Sequence, residues 1–149
     1  MPLTTAPETG STRAEPAPGF GSRSLASVIR FWLPVLLYIA LIFWVSSISS
    51  VRLPGGGNGL DKVAHAAEYG LLCFLLVRAL RESDLVDSLA VASAVALVIG
   101  LCVGLADELF QSIVPGRESD PSDYAADAAG LVLAVFLYAL YRRGRRGRR

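Results

Sequence analysis

Residues 86–113 read VDSLAVASAVALVIGLCVGLADELFQSI, and this stretch decides the fold. Its polar residues lie at the two ends, and the apolar run between them is long enough for a membrane helix, which needs about 20 such residues. Three further stretches are of the same kind, namely 31–49, 62–79 and 121–141. Backbone polar groups in lipid must be satisfied internally, which excludes open sheets. The sequence therefore predicts an all-α membrane bundle of four transmembrane helices.

The composition also favours a membrane protein. Of the 149 residues, 53% are hydrophobic and 18% are charged, whereas soluble domains carry about 45–50% apolar and about 25% charged residues. These values argue against an ordinary soluble enzyme. They also argue against a disordered chain, which would be polar and rich in charge. We expect the lipid bilayer as a partner, no nucleic acid and no cofactor.

The sequence divides into three segments. Residues 1–27, rich in Pro, Thr, Ser and Gly, are predicted to be a disordered N-terminal tail. Residues 28–142 are predicted to be the transmembrane domain, and residues 143–149 a basic C-terminal tail. The first apolar stretch could instead be a signal peptide, since Arg23 and Arg30 precede it. It is long for such a segment and lacks a small-x-small cleavage site, so we expect a retained span.

The orientation is predicted from the basic residues, because those near span ends tend to stay in the cytoplasm. Arginines crowd residues 142–149, and others precede the first span. With an even number of spans, both termini are expected in the cytoplasm. The connection 78–87 is then inside, and the connections 50–61 and 114–120 are outside.

Polar residues lie at the margins of these spans, although a charge at the centre of a span costs about 2.5–3.5 kcal/mol on translocon scales. Asp61, His65 and Tyr69 share one face of the second span by their i, i+4, i+8 spacing. The predicted topology brings all such residues to the extracytoplasmic end, where we expect an inward-facing polar pocket. The other members are Lys62, Glu68, Asp107, Glu108, Gln111, Arg117, Asp123 and Asp127.

Three ordered strings of these residues carry a resemblance to a known family. They are Asp61-Lys62-x-x-His65-x-x-x-Tyr69, Asp107-Glu108-x-x-Gln111-x-x-x-Pro115-Gly116-Arg117, and Asp123-x-x-x-Asp127-x-x-Gly130. Together they resemble the VanZ-like family of small bacterial integral membrane proteins, over about residues 31–140. A weaker match lies at the end of the first span, in Trp44, Ser46 and Ser47.

The resemblance implies a multi-pass protein of the bacterial cytoplasmic membrane with a role in the cell envelope. The family's namesake is linked to low-level resistance to teicoplanin, a lipoglycopeptide antibiotic that acts at the outer face. The family usually has Asn where this chain has Asp127. The negative charge at this position would be offset by Arg117, by Lys62 or by protonation of the acid.

Each candidate site residue has two interpretations. His65, the one histidine, could be a general acid or base, or a structural hydrogen-bond partner of Glu108 or Asp123. Glu108, with Gln111 beside it, could orient a substrate or share a proton with His65. It could equally pair with Lys62 or Arg117 and fix the packing of the helices.

Arg117 and its neighbours likewise allow both interpretations. Arg117 could clamp a phosphate or carboxylate, or form a surface ion pair with Glu118 or Asp120. Asp120-Pro121 is typical of a helix start, with Asp120 as the N-cap. Gly100-x-x-x-Gly104 should let two helices approach closely. The candidate metal ligands are His65, Glu108, Asp123 and Asp127, but their spacing matches no metal motif, and we expect no metal.

Three hypotheses about function remain open. In the first, the pocket binds an amphiphile such as a lipid, a lipid-linked envelope precursor or a lipidated antibiotic, with Lys62 and Arg117 meeting its anionic group. In the second, the chain is an intramembrane enzyme acting on a lipid-linked substrate, with His65 as acid or base, Glu108 as its orienting group and Arg117 as the charge stabiliser. In the third, it is a structural subunit of a larger complex.

Overall fold

The structure, a computed structural model, describes residues 25–48, 59–117 and 119–146. Within these residues the chain forms helices and no strand: α1 (Leu25–Ser46), α2 (Leu60–Glu82), α3 (Leu89–Gln111) and α4 (Pro121–Arg146). All four are long and apolar enough to cross a membrane. Even α1, with 22 residues, is about 33 Å long at 1.5 Å per residue, against a bilayer core of about 30 Å. The predicted all-α bundle of four transmembrane helices is confirmed.

Capping side chains set where two of the helices begin. α3 begins at Leu89 rather than at residue 86, because the hydroxyl of Ser88 accepts the backbone N–H three residues on, at 3.4 Å. α4 begins at Pro121, as predicted, and the Asp120 carboxylate accepts the backbone N–H of Ser122 at 2.8 Å. The predicted N-cap is therefore confirmed, and it fixes the turn that leads from α3 into α4.

The predicted segments outside the membrane domain are only partly described. The described residues leave out residues 1–24, which belong to the predicted N-terminal tail. They also leave out residues 49–58, which connect α1 to α2. α1 begins at Leu25, and α4 continues to Arg146. The division of the chain at residues 27 and 142 stays a prediction.

α2 is the central helix, since its contacts with the other three helices are the most extensive in the bundle. Its most extensive pairing is with α4, which runs in the same direction. Small residues make this approach possible: a Cβ added at Gly130 would strike the carbonyl group of Ala66, and one at Gly70 would lie 3.4 Å from the Gly130 oxygen. The two backbones are therefore in direct contact, as is typical of small-residue packing between membrane helices.

The two glycines of α3 also permit a close approach. A Cβ at Gly100 would clash with the side chain of Leu131, and one at Gly104 would lie 3.2 Å from Cε1 of Tyr69 and 3.4 Å from Oδ2 of Asp127. The predicted packing role of Gly100 and Gly104 is confirmed. Gly104 also brings α3 against the acidic side chain buried between α2 and α4.

The helices alternate in direction, so one end of the bundle contains the ends of α1 and α3 and the starts of α2 and α4. The outer surface between the two ends is apolar, as lipid contact requires. Large hydrophobic side chains exposed on it include Leu36, Leu37, Val98, Val132, Leu133 and Phe136.

Candidate functional site

The predicted polar residues come together at this shared end. We call the group the polar cluster; it lies between the first three turns of α2, the last turns of α3, the α3–α4 connection and the first two turns of α4. Its members are Asp61, Lys62, His65, Glu68, Tyr69, Asp107, Glu108, Gln111, Arg117, Asp120, Asp123 and Asp127. Helical spacing placed each set on one face, and the packing of α2, α3 and α4 turns those faces toward one another.

Lys62 is held by carboxylates. Its Nζ lies 2.7 Å from Asp123 Oδ1, 3.4 Å from Asp120 Oδ2 and 3.7 Å from Asp61 Oδ2. The Lys62 side chain is 39% exposed and that of Asp61 is 40% exposed, so this part of the cluster forms its rim. The ammonium group is thus already paired with carboxylates.

His65 lies one turn deeper and pairs with Asp127. Its Nδ1 is 3.0 Å from Asp127 Oδ1, while its Nε2 is 3.7 Å from Asp123 Oδ2. We expected Glu108 or Asp123 as the hydrogen-bond partner; the partner is instead Asp127, and Asp123 lies at ion-pair distance only. α2 and α4 run in the same direction, so the contact of Lys62 with Asp123 places His65 beside the acid one turn further along α4.

The negative charge of Asp127 was expected to be offset by Arg117, by Lys62 or by protonation, and the structure corrects the first two of these. Neither Arg117 nor Lys62 touches its carboxylate in the described part of the chain; the basic group beside it is the imidazole of His65. Asp127 is 1% exposed. Its Oδ1 faces His65, whereas its Oδ2 lies against α3 near Gly104.

Asp107 and Glu108 are both buried at the end of α3. Glu108 Oε2 accepts from the hydroxyl of Ser119 at 2.7 Å and from the backbone N–H of Asp120 at 3.1 Å. Asp107 Oδ2 accepts from the Gln111 amide at 2.9 Å. The expected pairing of Glu108 with Lys62 or Arg117 is wrong, because the α3–α4 connection folds back over Glu108 and supplies its donors.

Several buried polar atoms of the cluster lack a partner. Among the described residues, no hydrogen-bond partner faces Asp107 Oδ1, Glu108 Oε1, Asp127 Oδ2 or the Tyr69 hydroxyl. Tyr69 is fully buried, and its ring lies against the same Gly104 as Asp127 Oδ2. A buried polar group without a hydrogen bond is costly, so each of these atoms calls for a partner such as water, a proton or a ligand group.

Arg117 is not part of a charge pair within the described residues. Its Nε donates to the carbonyl oxygen of Ser46 at 3.2 Å, and its Nη2 donates to that of Val45 at 3.4 Å. These carbonyls lie at the C-terminal end of α1, where the helical hydrogen bonds run out; that of Val45 also accepts the backbone N–H of Ile48 at 3.1 Å. The expected ion pair with Asp120 is wrong, since Asp120 contacts Lys62; the alternative partner, Glu118, lies outside the described residues.

Carboxyl groups outnumber basic side chains in the cluster. Glu68, half-buried on α2, adds a further carboxyl group. At the rim, hydrogen bonds from Ser122 and the nearby Lys62 lower the pKa of the Asp120 carboxyl below its usual range. The interior of the cluster therefore offers hydrogen-bond acceptors in excess of donors.

No metal centre is evident in residues 25–48, 59–117 and 119–146: no group of three His, Cys, Asp or Glu side chains there is arranged to hold an ion. His65 and Asp127 are in contact, but Glu108 turns toward Ser119 and Asp120. Glu108 therefore takes no part in the contact between His65 and Asp127.

From the sequence, Asp120 was predicted only as an N-cap or a surface ion-pair partner, Ser46 was named only in the weaker match, and Ser119 was missed altogether. Ser119 donates to Glu108, and Ser46 contacts the Gln111 amide through its hydroxyl at 3.4 Å. The sequence contains no signal for Ser119, which lies in a short polar connection. Ser46 belonged to the weaker match at the end of the first span, and the resemblance was the one signal that could have identified it.

The fold and the cluster define a class: a multi-pass membrane protein with four helices and a buried polar cluster at one end. The chain belongs to the VanZ/LLP1 family, whose model matches residues 22–142. This confirms the resemblance found in the sequence and is consistent with a place in the bacterial cytoplasmic membrane. No curated protein and no solved structure matches the chain.

Proposed function

We propose that the polar cluster is an extracytoplasmic binding site for the polar part of an amphiphilic envelope component. The observation that carries this proposal is the set of buried acceptors without partners: Asp107 Oδ1, Glu108 Oε1 and Asp127 Oδ2. A ligand that presents hydroxyl or ammonium groups would satisfy them, because charge-assisted hydrogen bonds to carboxylates are the strong ones. The Tyr69 hydroxyl lies near these acids and would add a further contact.

The contacts of the basic residues support donor groups rather than an anion as the bound part. Lys62 is held by Asp123 and its neighbours, and Arg117 is held by the carbonyls at the end of α1. Lys62 and Arg117 would therefore shape the site instead of meeting an anionic group of the ligand. A lipid-linked precursor or a lipoglycopeptide would meet the requirement for an apolar anchor with hydroxyl or amine groups.

Teicoplanin susceptibility of a Gram-positive host tests this proposal. The host expresses the wild type, Glu108→Gln or Glu82→Gln at equal membrane levels. Glu82 is an exposed carboxylate at the opposite end of α2, so its variant removes a matched charge. We expect protection by the wild type and by Glu82→Gln, and at least a several-fold loss of protection with Glu108→Gln. Equal protection by all three would contradict a role for the buried acids, and no protection by the wild type would contradict the resistance role.

A second candidate function, an intramembrane enzyme, is favoured by one contact. The Asp127 carboxylate, 3.0 Å from Nδ1, orients the imidazole of His65 and would stabilise its protonated form. This assigns the orienting role to Asp127 in place of Glu108. His65→Gln in the same assay separates the two functions: an enzyme loses all protection at normal protein level, whereas a binding protein keeps part of it. Full protection by His65→Gln would contradict an enzymatic function that uses His65.

A further inference from the structure

A cavity lies at the opposite end of the bundle, away from the polar cluster. It has a volume of about 210 Å³ and lies between the end of α2, the start of α3 and the end of α4. This is smaller than the roughly 300–1,000 Å³ of typical small-molecule sites, so it suits a single compact group. We call it the arginine cavity; its lining residues are Arg81, Asp87, Leu89, Ala139, Arg142 and Arg143.

The guanidinium of Arg81 is held by one hydrogen bond and has a second N–H donor without a partner among the described residues. Its Nη1 donates to the carbonyl of Val86 at 2.8 Å, which orients the guanidinium within the α2–α3 connection. Its Nε is buried and has no hydrogen-bond partner among the described residues. A buried guanidinium N–H without an acceptor is costly, and an anion in the cavity would supply that acceptor.

The remaining lining favours an anion as well. Arg142 and Arg143 outweigh the one carboxylate, that of Asp87. Leu89 is the first residue of α3, so the cavity also borders a helix N-terminus, where free N–H groups and the helix dipole attract negative charge. Guanidinium groups and a helix start together are the donors that recognise a phosphate group.

Aromatic side chains place this cavity at the depth of the lipid headgroups. Trp32 donates from its indole Nε1 to Ser83 Oγ at 3.3 Å, beside the end of α2. The rings of Tyr138 and Tyr141 lie 6.4 Å apart on the last turns of α4. Trp and Tyr concentrate at membrane–water interfaces, and basic pockets between helices at that depth bind anionic headgroups.

We propose that the arginine cavity binds a phosphate group, supplied by the headgroup of an anionic membrane lipid. Arg142 and Arg143 approach the phosphate from α4, and Arg81 and the start of α3 complete the site from the other side. The site is separate from the polar cluster and does not depend on the function proposed for that cluster.

Native mass spectrometry of the full chain in detergent micelles tests the proposal. The added probes are phosphatidylglycerol, zwitterionic phosphatidylcholine and inorganic phosphate. The test variant is Arg142→Gln/Arg143→Gln, and the matched control is Arg30→Gln/Arg78→Gln. The control removes the same charge at the same end, from residues that lie over the Phe31 ring instead of lining the cavity. Unchanged thermal unfolding of each variant shows that it folds.

We expect phosphatidylglycerol to bind the wild type and the control alike, and to bind the test variant about tenfold more weakly through the loss of charge-assisted hydrogen bonds. If inorganic phosphate displaces phosphatidylglycerol, the cavity is a phosphate site, but its ligand is the free ion and not the lipid headgroup. Equal weakening in the test and control variants would overturn the proposal, since the effect would then be one of net charge. Equal affinity for phosphatidylcholine and phosphatidylglycerol, with no response to inorganic phosphate, would overturn it too.

Discussion

His65 meets two acids inside the bundle, Asp127 at 3.0 Å and Asp123 at 3.7 Å, and the contact with Asp127 is the closer and the more deeply buried one. His65 is 20% exposed and Asp127 is 1% exposed at their side chains. Interhelical hydrogen bonds in membrane proteins contribute about 0.6 kcal/mol on average and at most about 1.7 kcal/mol. The contact is therefore worth little to stability in absolute terms, and its main effect is to fix the orientation of the imidazole.

A double-mutant cycle measures this contact. We expect His65→Ala and Asp127→Ala to show a coupling energy of about 0.6–1.7 kcal/mol in the free energy of unfolding. The measurement is unfolding of the purified chain in mixed micelles as the fraction of denaturing detergent rises. The control cycle pairs His65→Ala with Glu82→Ala, because Glu82 is exposed at the opposite end of α2 and lies far from His65. A coupling energy as large in the control cycle would refute a specific interaction between His65 and Asp127.

The partners within the cluster were harder to predict than its members. Period-3.6 spacing placed Asp61, His65 and Tyr69 on one face, because that inference needs only the geometry of one helix. Which acid meets His65 depends on how far α4 is shifted along α2, and the sequence contains no measure of that shift. Arg117 shows the same limit: its acceptors are backbone carbonyls of α1, which carry no sequence signal.

At the level of elements, the packing of α2 against α4 depends on glycine, which has no side chain, at the point of contact. A Cβ at Gly130 would strike Ala66, whereas Gly144, on the same helix, has open space around it. In lipid the hydrophobic effect does not drive helices together, so close van der Waals contact has a larger share in the association. Gly130 should therefore tolerate substitution far less well than Gly144.

Gly130→Ala is expected to lower the free energy of unfolding by about 1–3 kcal/mol, the usual cost of overpacking a tight site. Gly144→Ala, its matched control, is expected to leave stability unchanged or to raise it by at most about 1 kcal/mol through helix propensity. Thermal unfolding in detergent micelles checks both variants. If the two variants unfold at the same temperature, the direct backbone contact of α2 with α4 is not as described.

Helix limits were predictable where a side chain marks them. Asp120-Pro121 fixed the start of α4, and the structure bears this out through the contact with Ser122. The start of α3 was predicted three residues too early, because Val86 continues the apolar stretch while Ser88 caps the helix. Hydrophobicity locates a span, but the hydrogen bonds of the first turn decide where the helix begins.

At the scale of the whole molecule, the two ends of the bundle differ in charge. One end gathers the acidic polar cluster, and the other contains Arg30, Arg78, Arg81, Arg142 and Arg143. Positive charge near span ends tends to stay in the cytoplasm. We therefore propose that both chain termini lie in the cytoplasm and that the polar cluster faces the outside of the cell.

Cysteine accessibility tests this orientation in a chain with Cys73→Ala and Cys102→Ala. With a membrane-impermeant maleimide on intact cells, we expect Ser119→Cys to be labelled and Gly144→Cys to stay unlabelled until the membrane is opened. Gly56→Cys, in the connection outside the described residues, provides a second outer probe that leaves the Ser119 hydrogen bond intact. Labelling of Gly144→Cys in intact cells, with both outer probes protected, would reverse the proposed orientation.

The attachment of Arg117 to α1 has a consequence for how this chain tolerates mutation. Its guanidinium holds two main-chain oxygens, those of Val45 and Ser46, and main-chain oxygens are the same in every amino acid. Val45 can therefore change without disturbing the attachment, whereas no other residue type offers the rigid fork of donors that Arg117 provides. The constraint is one-sided: selection acting on this attachment between α1 and the α3–α4 connection would fall on Arg117 and leave Val45 free to vary.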